Sequence, residues 1–276
     1  MNSFEKLKNE GIIILDQIIP KELFVKIKNG FFEHDKFLES CKLKNDEKDL
    51  LEKRAGYEKI IDYCPEIIEL IKLKEIDLIL KNYLGQDYKI LNIYPTVSYP
   101  IKLDMTKKNV HESDASICIF HHDQIGKQLK LIIVLEDITE DQNCLEYAVG
   151  SHKINLIDKI IVKFLNFFGF FKDWNKNIID HIINKILNKS FAFIDEKKLR
   201  KKYSIKQAIS KASSIYLFDT NGYHRQKPAT EKTNFSLARN TIFLDIVPNS
   251  SANKAKLKMN FKSVKEDSYK KIENFI

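Results

Sequence analysis

Residues 115–123, ASICIFHHD, and 130–138, KLIIVLEDI, decide how the rest of the chain is read. Each is a short run dense in β-branched and aromatic side chains, and a polar turn separates the two, a pattern that suits strands rather than helices. The same pattern recurs outward from them, in YKILNIYPTVSY (88–99), SSIYLFD (213–219) and NTIFLDIV (240–247). The first third reads differently. FEKLKNEGIIIL (4–15) passes from a charged helix into a short strand, and after Pro20 the stretch KELFVKIKNGFF (21–32) sets Leu23, Phe24 and Ile27 on one helical face. From Glu47 to Leu84 the spacing is again helical, with Pro65 opening a second segment and Gly85 closing it. Residues 151–210 return to helical spacing with many lysines, and 253–276 form a lysine-rich tail that reads as solvated. No repeat and no linker divides the chain, so 1–276 is expected to be a single domain.

Composition narrows the classes. Only 8 glycines and 6 prolines occur in 276 residues, which excludes collagen-like and proline-rich disordered chains and sits awkwardly with a turn-rich, purely β protein. No apolar run approaches the ~20 residues of a membrane-spanning helix; before mid-chain the longest uninterrupted one, Leu131 to Leu135, has five. Met1 to Lys8 is charged at once and leads into no signal-peptide core, so the cytoplasm is the expected location. Cys41, Cys64, Cys118 and Cys144 fit neither a zinc knuckle nor a CxxC pair and are expected as reduced, buried thiols. The net charge of +8 suits nucleic acid, anionic lipid or an anionic small substrate, but lysine, isoleucine and asparagine are abundant throughout, so charge alone carries little weight. No nucleic-acid partner is expected.

Of the seven histidines, His34, His111 and His181 stand in polar surroundings without a spaced partner and read as surface residues. His121 and Asp123 differ. They close a predicted strand, and residues i and i+2 of a strand share a face, so an imidazole and a carboxylate can meet one point while His122 faces away. These are two of the three ligands of a 2-His-1-carboxylate iron site. His224 follows the strand SIYLFD and the turn TNG, and is placed to be the third. Further on, Arg239 and Thr241 share a face of the last strand; a guanidinium beside a hydroxyl suits a carboxylate, whereas a surface salt bridge is the plainer reading. Lys130 is either a second cation for such a carboxylate or a solvated lysine. His152 could be mistaken for a further ligand; the resemblance described next implies that its Gly-Ser-His turn shapes the site wall, a structural or substrate-contacting role.

Taken together, HHDQIGKQLKLIIVLEDITEDQNCLEYAVGSHK (121–153) resembles the core of the phytanoyl-CoA dioxygenase family of Fe(II)/2-oxoglutarate oxygenases. The matching pieces are His121 and Asp123, then Leu135-Glu136-Asp137, an acidic turn at 139–143, and Gly150-Ser151-His152. FDTNGYHRQKPA (218–229) resembles the family's distal-histidine stretch, and the opening 4–23 its usual start. Two features depart from it: Arg239 lies fifteen residues beyond His224, further than is common in the family, and about 154–211 is a long insertion.

The resemblance implies a double-stranded β-helix, a jelly roll that is mainly β, flanked by N-terminal helices and carrying a helical insertion over about 154–211. It implies Fe(II) held by His121, Asp123 and His224, and 2-oxoglutarate as co-substrate with its far carboxylate on Arg239 and Thr241, Lys130 assisting. Dioxygen would split the co-substrate to succinate and carbon dioxide and oxidise an unactivated C–H bond of a small, anionic or acyl, substrate. Related halogenases lack the carboxylate that Asp123 supplies, which favours hydroxylation. The insertion is expected to roof the site, with Phe164, Phe167, Phe168 and Trp174 as apolar walls. Two other classes stay open at this point: a non-catalytic jelly roll that binds a ligand, and a peripheral membrane protein that docks through the apolar run 156–174.

Overall fold

The computed structural model describes residues 2–42, 60–102, 117–123, 128–153 and 196–249. Its frame is two antiparallel sheets. The larger has five strands in the order β1-β6-β3-β8-β2 and the smaller has three in the order β5-β4-β7, where β1 is Ile12–Leu15, β2 Tyr88–Ser98, β3 Leu129–Val134, β4 Leu145–Ala148, β5 Ile205–Ala208, β6 Ile215–Asp219, β7 His224–Gln226 and β8 Arg239–Pro248. The expected strand-rich centre and end are therefore present, and the arrangement is the jelly roll that the sequence implied.

Period-2 alternation explains why the large sheet sits between two apolar layers. Leu129, Leu131 and Ile133 of β3 join Ile215, Leu217, Ile242, Leu244 and Ile246 on one face, packed against the helices. Ile132, Val134, Tyr216 and Phe218 lie on the other face with Ile12 and Phe243, toward the small sheet, where Leu145 and Tyr147 meet them. A strand covered on both sides reads as a continuous apolar run, which is why KLIIVLEDI was so legible.

The helices α1 (Ser3–Glu10), α2 (Lys21–Lys42), α3 (Ile60–Tyr63), α4 (Ile67–Ile71) and α5 (Lys74–Leu84) cover the first face. Asn2 caps α1 by accepting from the Glu5 amide at 2.8 Å, and Gly11 ends it in the left-handed region at φ 81°. The segment 65–84 is broken where one helical stretch was expected: Leu73 adopts an extended ψ of 128°, so α4 and α5 are separate. Gly30 lets α2 touch α3, because a Cβ there would fall within 2.6 Å of Cys64 Sγ and against the Tyr63 carbonyl. His34, expected at the surface, is instead buried, its ring edge-on to Tyr63 at 5.3 Å; the helical period turns it onto the face that meets α3. His111, His181 and the side chain of Cys41 lie outside the described residues. Cys64, Cys118 and Cys144 are free, buried thiols, and burial pushes each upward, Cys64 to about 12.

The expected helical insertion needs correcting at its end. Its last part forms a helix, α6 (Glu196–Lys202), and then strand β5, which pairs with β4 from Ile205↔Ala148 to Ala208↔Leu145. The small sheet is thus incomplete without residues 205–208, because β4 would otherwise lose its partner on that edge. Residues 154–195, with Phe164, Phe167, Phe168 and Trp174, lie outside the described residues. Among the described residues, no helix is long and apolar enough to cross a membrane.

Candidate metal centre

The stretch expected as a strand before the HxD pair contributes a single antiparallel bridge, His121 to His224. Both backbone bonds of that bridge form, His121 N to His224 O at 3.0 Å and His224 N to His121 O at 2.8 Å. Two residues on, the Asp123 amide donates to Thr220 O at 3.2 Å. Strand alternation then does what the sequence foretold: His121 and Asp123 turn inward, while His122 packs edge-on against Tyr223 at 5.6 Å.

His121, Asp123 and His224 each offer a ligand atom within 4.8 Å of the other two. Asp123 Oδ1 lies 3.7 Å from His121 Nε2 and 3.5 Å from His224 Nε2, and the two rings are 4.7 Å apart between centroids. Both imidazoles are oriented from behind. His121 Nδ1 donates to Ile119 O at 2.7 Å and His224 Nδ1 donates to Gly222 O at 2.9 Å. A carbonyl only accepts, so the proton sits on Nδ1 and the Nε2 lone pair is left pointing at the shared centre. Burial and the neighbouring His224 pull the His121 pKa down to about 4, which keeps its ring neutral, as a metal ligand requires. Burial opposes the Asp123 charge, but Lys130 and His224 beside it hold its carboxyl well below the usual range. A divalent metal with imidazole and carboxylate preference fits this donor set.

Backbone geometry behind His224 is tightly determined. The turn 220–223 leaves β6 at Asp219, a buried carboxylate that accepts from Tyr83 Oη at 2.5 Å and from both the backbone and side-chain nitrogens of Asn221. Tyr147 Oη donates to Asp219 O at 2.9 Å. Gly222 is required there, since a Cβ would strike the Tyr147 hydroxyl and ring. The Gly150-Ser151-His152 turn completes the support. Ser151 Oγ accepts from the Tyr223 amide at 2.8 Å, Gly150 N bonds Glu10 O, and His152 Nε2 donates to Lys8 O at 3.0 Å. His152 therefore ties α1 to the site wall and is not among the grouped donors.

Arg239 and Thr241 are buried, and they face the same interior from the start of β8, opposite Ser98 and Thr96 of β2. Arg239 Nη1 donates to Asn143 O at 3.0 Å, but Arg239 Nε and Thr241 Oγ1 are buried without any partner. Buried polar atoms are normally paired, so two orphans on one inward face mark a place built for a ligand oxygen. Burial lowers the Arg239 pKa, the cost of holding a cation there. Lys130 is not at this end. It pairs across strands with Asp245, whereas Thr241 pairs with Val134, four residues along β3 and about 13 Å away. Its ammonium instead forms a short ion pair with Asp123 Oδ2. Between the two ends, Phe243 stacks on Tyr94 at 5.2 Å and 6° to form an apolar wall. Sequence reasoning missed the Tyr83–Asp219 bond and the Lys130–Asp123 pair; both join residues far apart in the chain or on separate elements.

No protein-family model matches the chain, and no curated protein matches it. Solved structures do. AviO1 from Streptomyces viridochromogenes is 14% identical over 90% of this chain and 94% of that one, with a TM-score of 0.55. The epimerase SnoN, solved with Fe3+, alpha-ketoglutarate and nogalamycin RO, is 10% identical over 95% and 90%, with a TM-score of 0.56. EctD from S. alaskensis, solved with 2-oxoglutarate and 5-hydroxyectoine, is 14% identical over 91% and 77%, with a TM-score of 0.52. At these identities the likeness is one of fold.

Proposed function

We propose that the chain is an Fe(II)- and 2-oxoglutarate-dependent oxygenase that hydroxylates a small molecule. One observation carries the reading: two imidazoles with committed Nδ1 protons and one carboxylate converge through Nε2, Nε2 and Oδ1 on a single point. The orphaned Arg239 Nε and Thr241 Oγ1 supply the second half, a receptor for the far carboxylate of 2-oxoglutarate. That SnoN, which shares the fold, was solved with iron and alpha-ketoglutarate supports the pairing of the two.

Bound iron and 2-oxoglutarate would supply the oxidising power for C–H hydroxylation, the co-substrate giving two of the electrons that reduce dioxygen and the substrate C–H bond the other two. The chain's own residues do the rest. His121 and His224 present fixed lone pairs, Asp123 brings one negative charge, and Arg239 with Thr241 fixes the direction in which the co-substrate lies. Ile132, Val134, Tyr216 and Phe218 keep the interior apolar and exclude water. Hydroxylation rather than halogenation follows from the carboxylate at Asp123. The basic balance together with the lysine-rich stretch of about 154–211 favours an anionic or acyl substrate, and we read 1–276 as one cytoplasmic domain in which that stretch meets the substrate.

The test is anaerobic reconstitution with Fe(II), followed by 2-oxoglutarate and air, with release of succinate as the readout. The wild-type chain should bind one iron and turn over slowly even without substrate, and His224→Ala should do neither. Iron content and succinate release unchanged in His224→Ala would overturn the proposal.

A further inference from the structure

Asp123 has two oxygens, and they face different partners. Oδ1 looks toward the two Nε2 atoms, whereas Oδ2 is taken by Lys130 Nζ. Lys130 also has a carboxylate across from it on the neighbouring strand. It projects from β3 directly opposite Asp245 of β8, and both side chains point into the space between the sheets. Asp245, itself buried, accepts from Asn92 Nδ2 at 3.0 Å, and Asn92 lies opposite it on the next strand, β2. Three adjacent strands thus carry Asn92, Asp245 and Lys130 in cross-strand register, ending on the carboxylate of Asp123.

From this geometry we infer that Lys130 is a positioning residue for the metal centre: its ammonium occupies Asp123 Oδ2, so the carboxylate meets the metal through Oδ1 alone. This rests on the metal reading above. The consequence is chemical. A carboxylate free to bind through both oxygens would take a second coordination position, and a site that must also admit a two-oxygen co-substrate and dioxygen has none to spare. Asp245 places a second carboxylate on the strand beside Lys130. With two carboxylates and one ammonium, Asp123, Lys130 and Asp245 sum to one negative charge, the same as Asp123 alone. The arrangement therefore adds orientation without altering the net charge that the metal meets.

That equality provides the control. Lys130→Met with Asp245→Asn removes both charges and leaves the site total as it was, so a change in metal binding reports geometry. Co(II), whose d–d absorption reads coordination number and ligand arrangement, is the probe. The wild-type chain should bind one Co(II). The double variant should bind it about 10- to 100-fold more weakly, the usual loss when an outer partner of a ligand is removed, and with an altered d–d spectrum. Co(II) affinity and spectrum identical to wild type would overturn the role of Lys130 while leaving the metal reading intact. A wild-type chain that takes up no Co(II) would overturn both. Should the double variant lose its fold, Lys130→Met alone is loaded with Co(II), and an unaltered spectrum there equally sinks the inference.

Discussion

His121 and His224 are joined by a reciprocal pair of backbone hydrogen bonds, 3.0 and 2.8 Å long, and the same bridge brings their rings to 4.7 Å. The spacing of the two imidazoles is thus set by main-chain pairing and not by side-chain packing alone. Anything that shifts the turn before His224 should therefore shift the ligand set.

Gly222→Ala is the sharpest test of that link. Its Cβ would fall on the buried Tyr147 hydroxyl and 2.9 Å from Cε2 of the ring, and Gly222 O is the acceptor that orients His224. The variant should lose about 1–3 kcal/mol of stability in urea melts, as overpacked sites do, and bind Co(II) more weakly than wild type. Full stability with wild-type affinity would show that the turn can relax.

Arg239→Lys keeps the charge and loses the fork of donors. Isothermal titration with 2-oxoglutarate, in the presence of a redox-inert metal, should show the Kd raised about ten-fold or more, since hydrogen bonds to charged groups contribute about 1.5–3 kcal/mol. A wild-type Kd would move the task to another cation, such as Lys232.

His152→Ala separates support from ligation. The ring is buried and donates to Lys8 O, so its loss should cost about 1–3 kcal/mol and lower the Tm. Metal content per chain should stay at the wild-type value. A loss of bound metal in a folded variant would make His152 part of the centre.

Glu196 gives a pH signature. Burial opposes its charge, yet Arg225 and Arg200 hold its carboxyl below the ordinary 4.5. A folded-state value below the unfolded one means that its stabilising contribution is fully present above about pH 4.5 and fades as the pH falls through the folded value. Glu196→Gln should lower stability at pH 7 by about 1 kcal/mol or less, because the group is half exposed and screened, and the gap to wild type should close below pH 4.5 in parallel thermal melts. A gap that does not narrow at all as the pH is lowered below 4.5 would assign the effect to packing.

Much of this was legible in the chain. β3 and β6 are buried on both faces and apolar at all but one position each, Lys130 and Asp219, and β8 carries the same kind of run over Ile242–Val247, broken only by Asp245. β5 was not legible, because Ile205-Lys206-Gln207-Ala208 has little apolar character and only one fully buried residue; it is a strand because β4 offers an unpaired edge. The burial of His34 and the break at Leu73 depend on how helices meet each other. The pairing of Lys130 with Asp123 follows from which face of β3 turns inward and which strand lies beside it, and neither is encoded locally.

The two ends of the segment 154–195 are fixed close to the same strand. Before it, Ser151 takes the amide of Tyr223; after it, Glu196 grips Arg225 with two bonds of 2.8 and 3.0 Å, while Glu146 takes the third donor of that guanidinium at 2.7 Å. Tyr223 and Arg225 flank His224. His224 is thus moored from both directions along the chain, by the residues that precede 154–195 and by those that follow it.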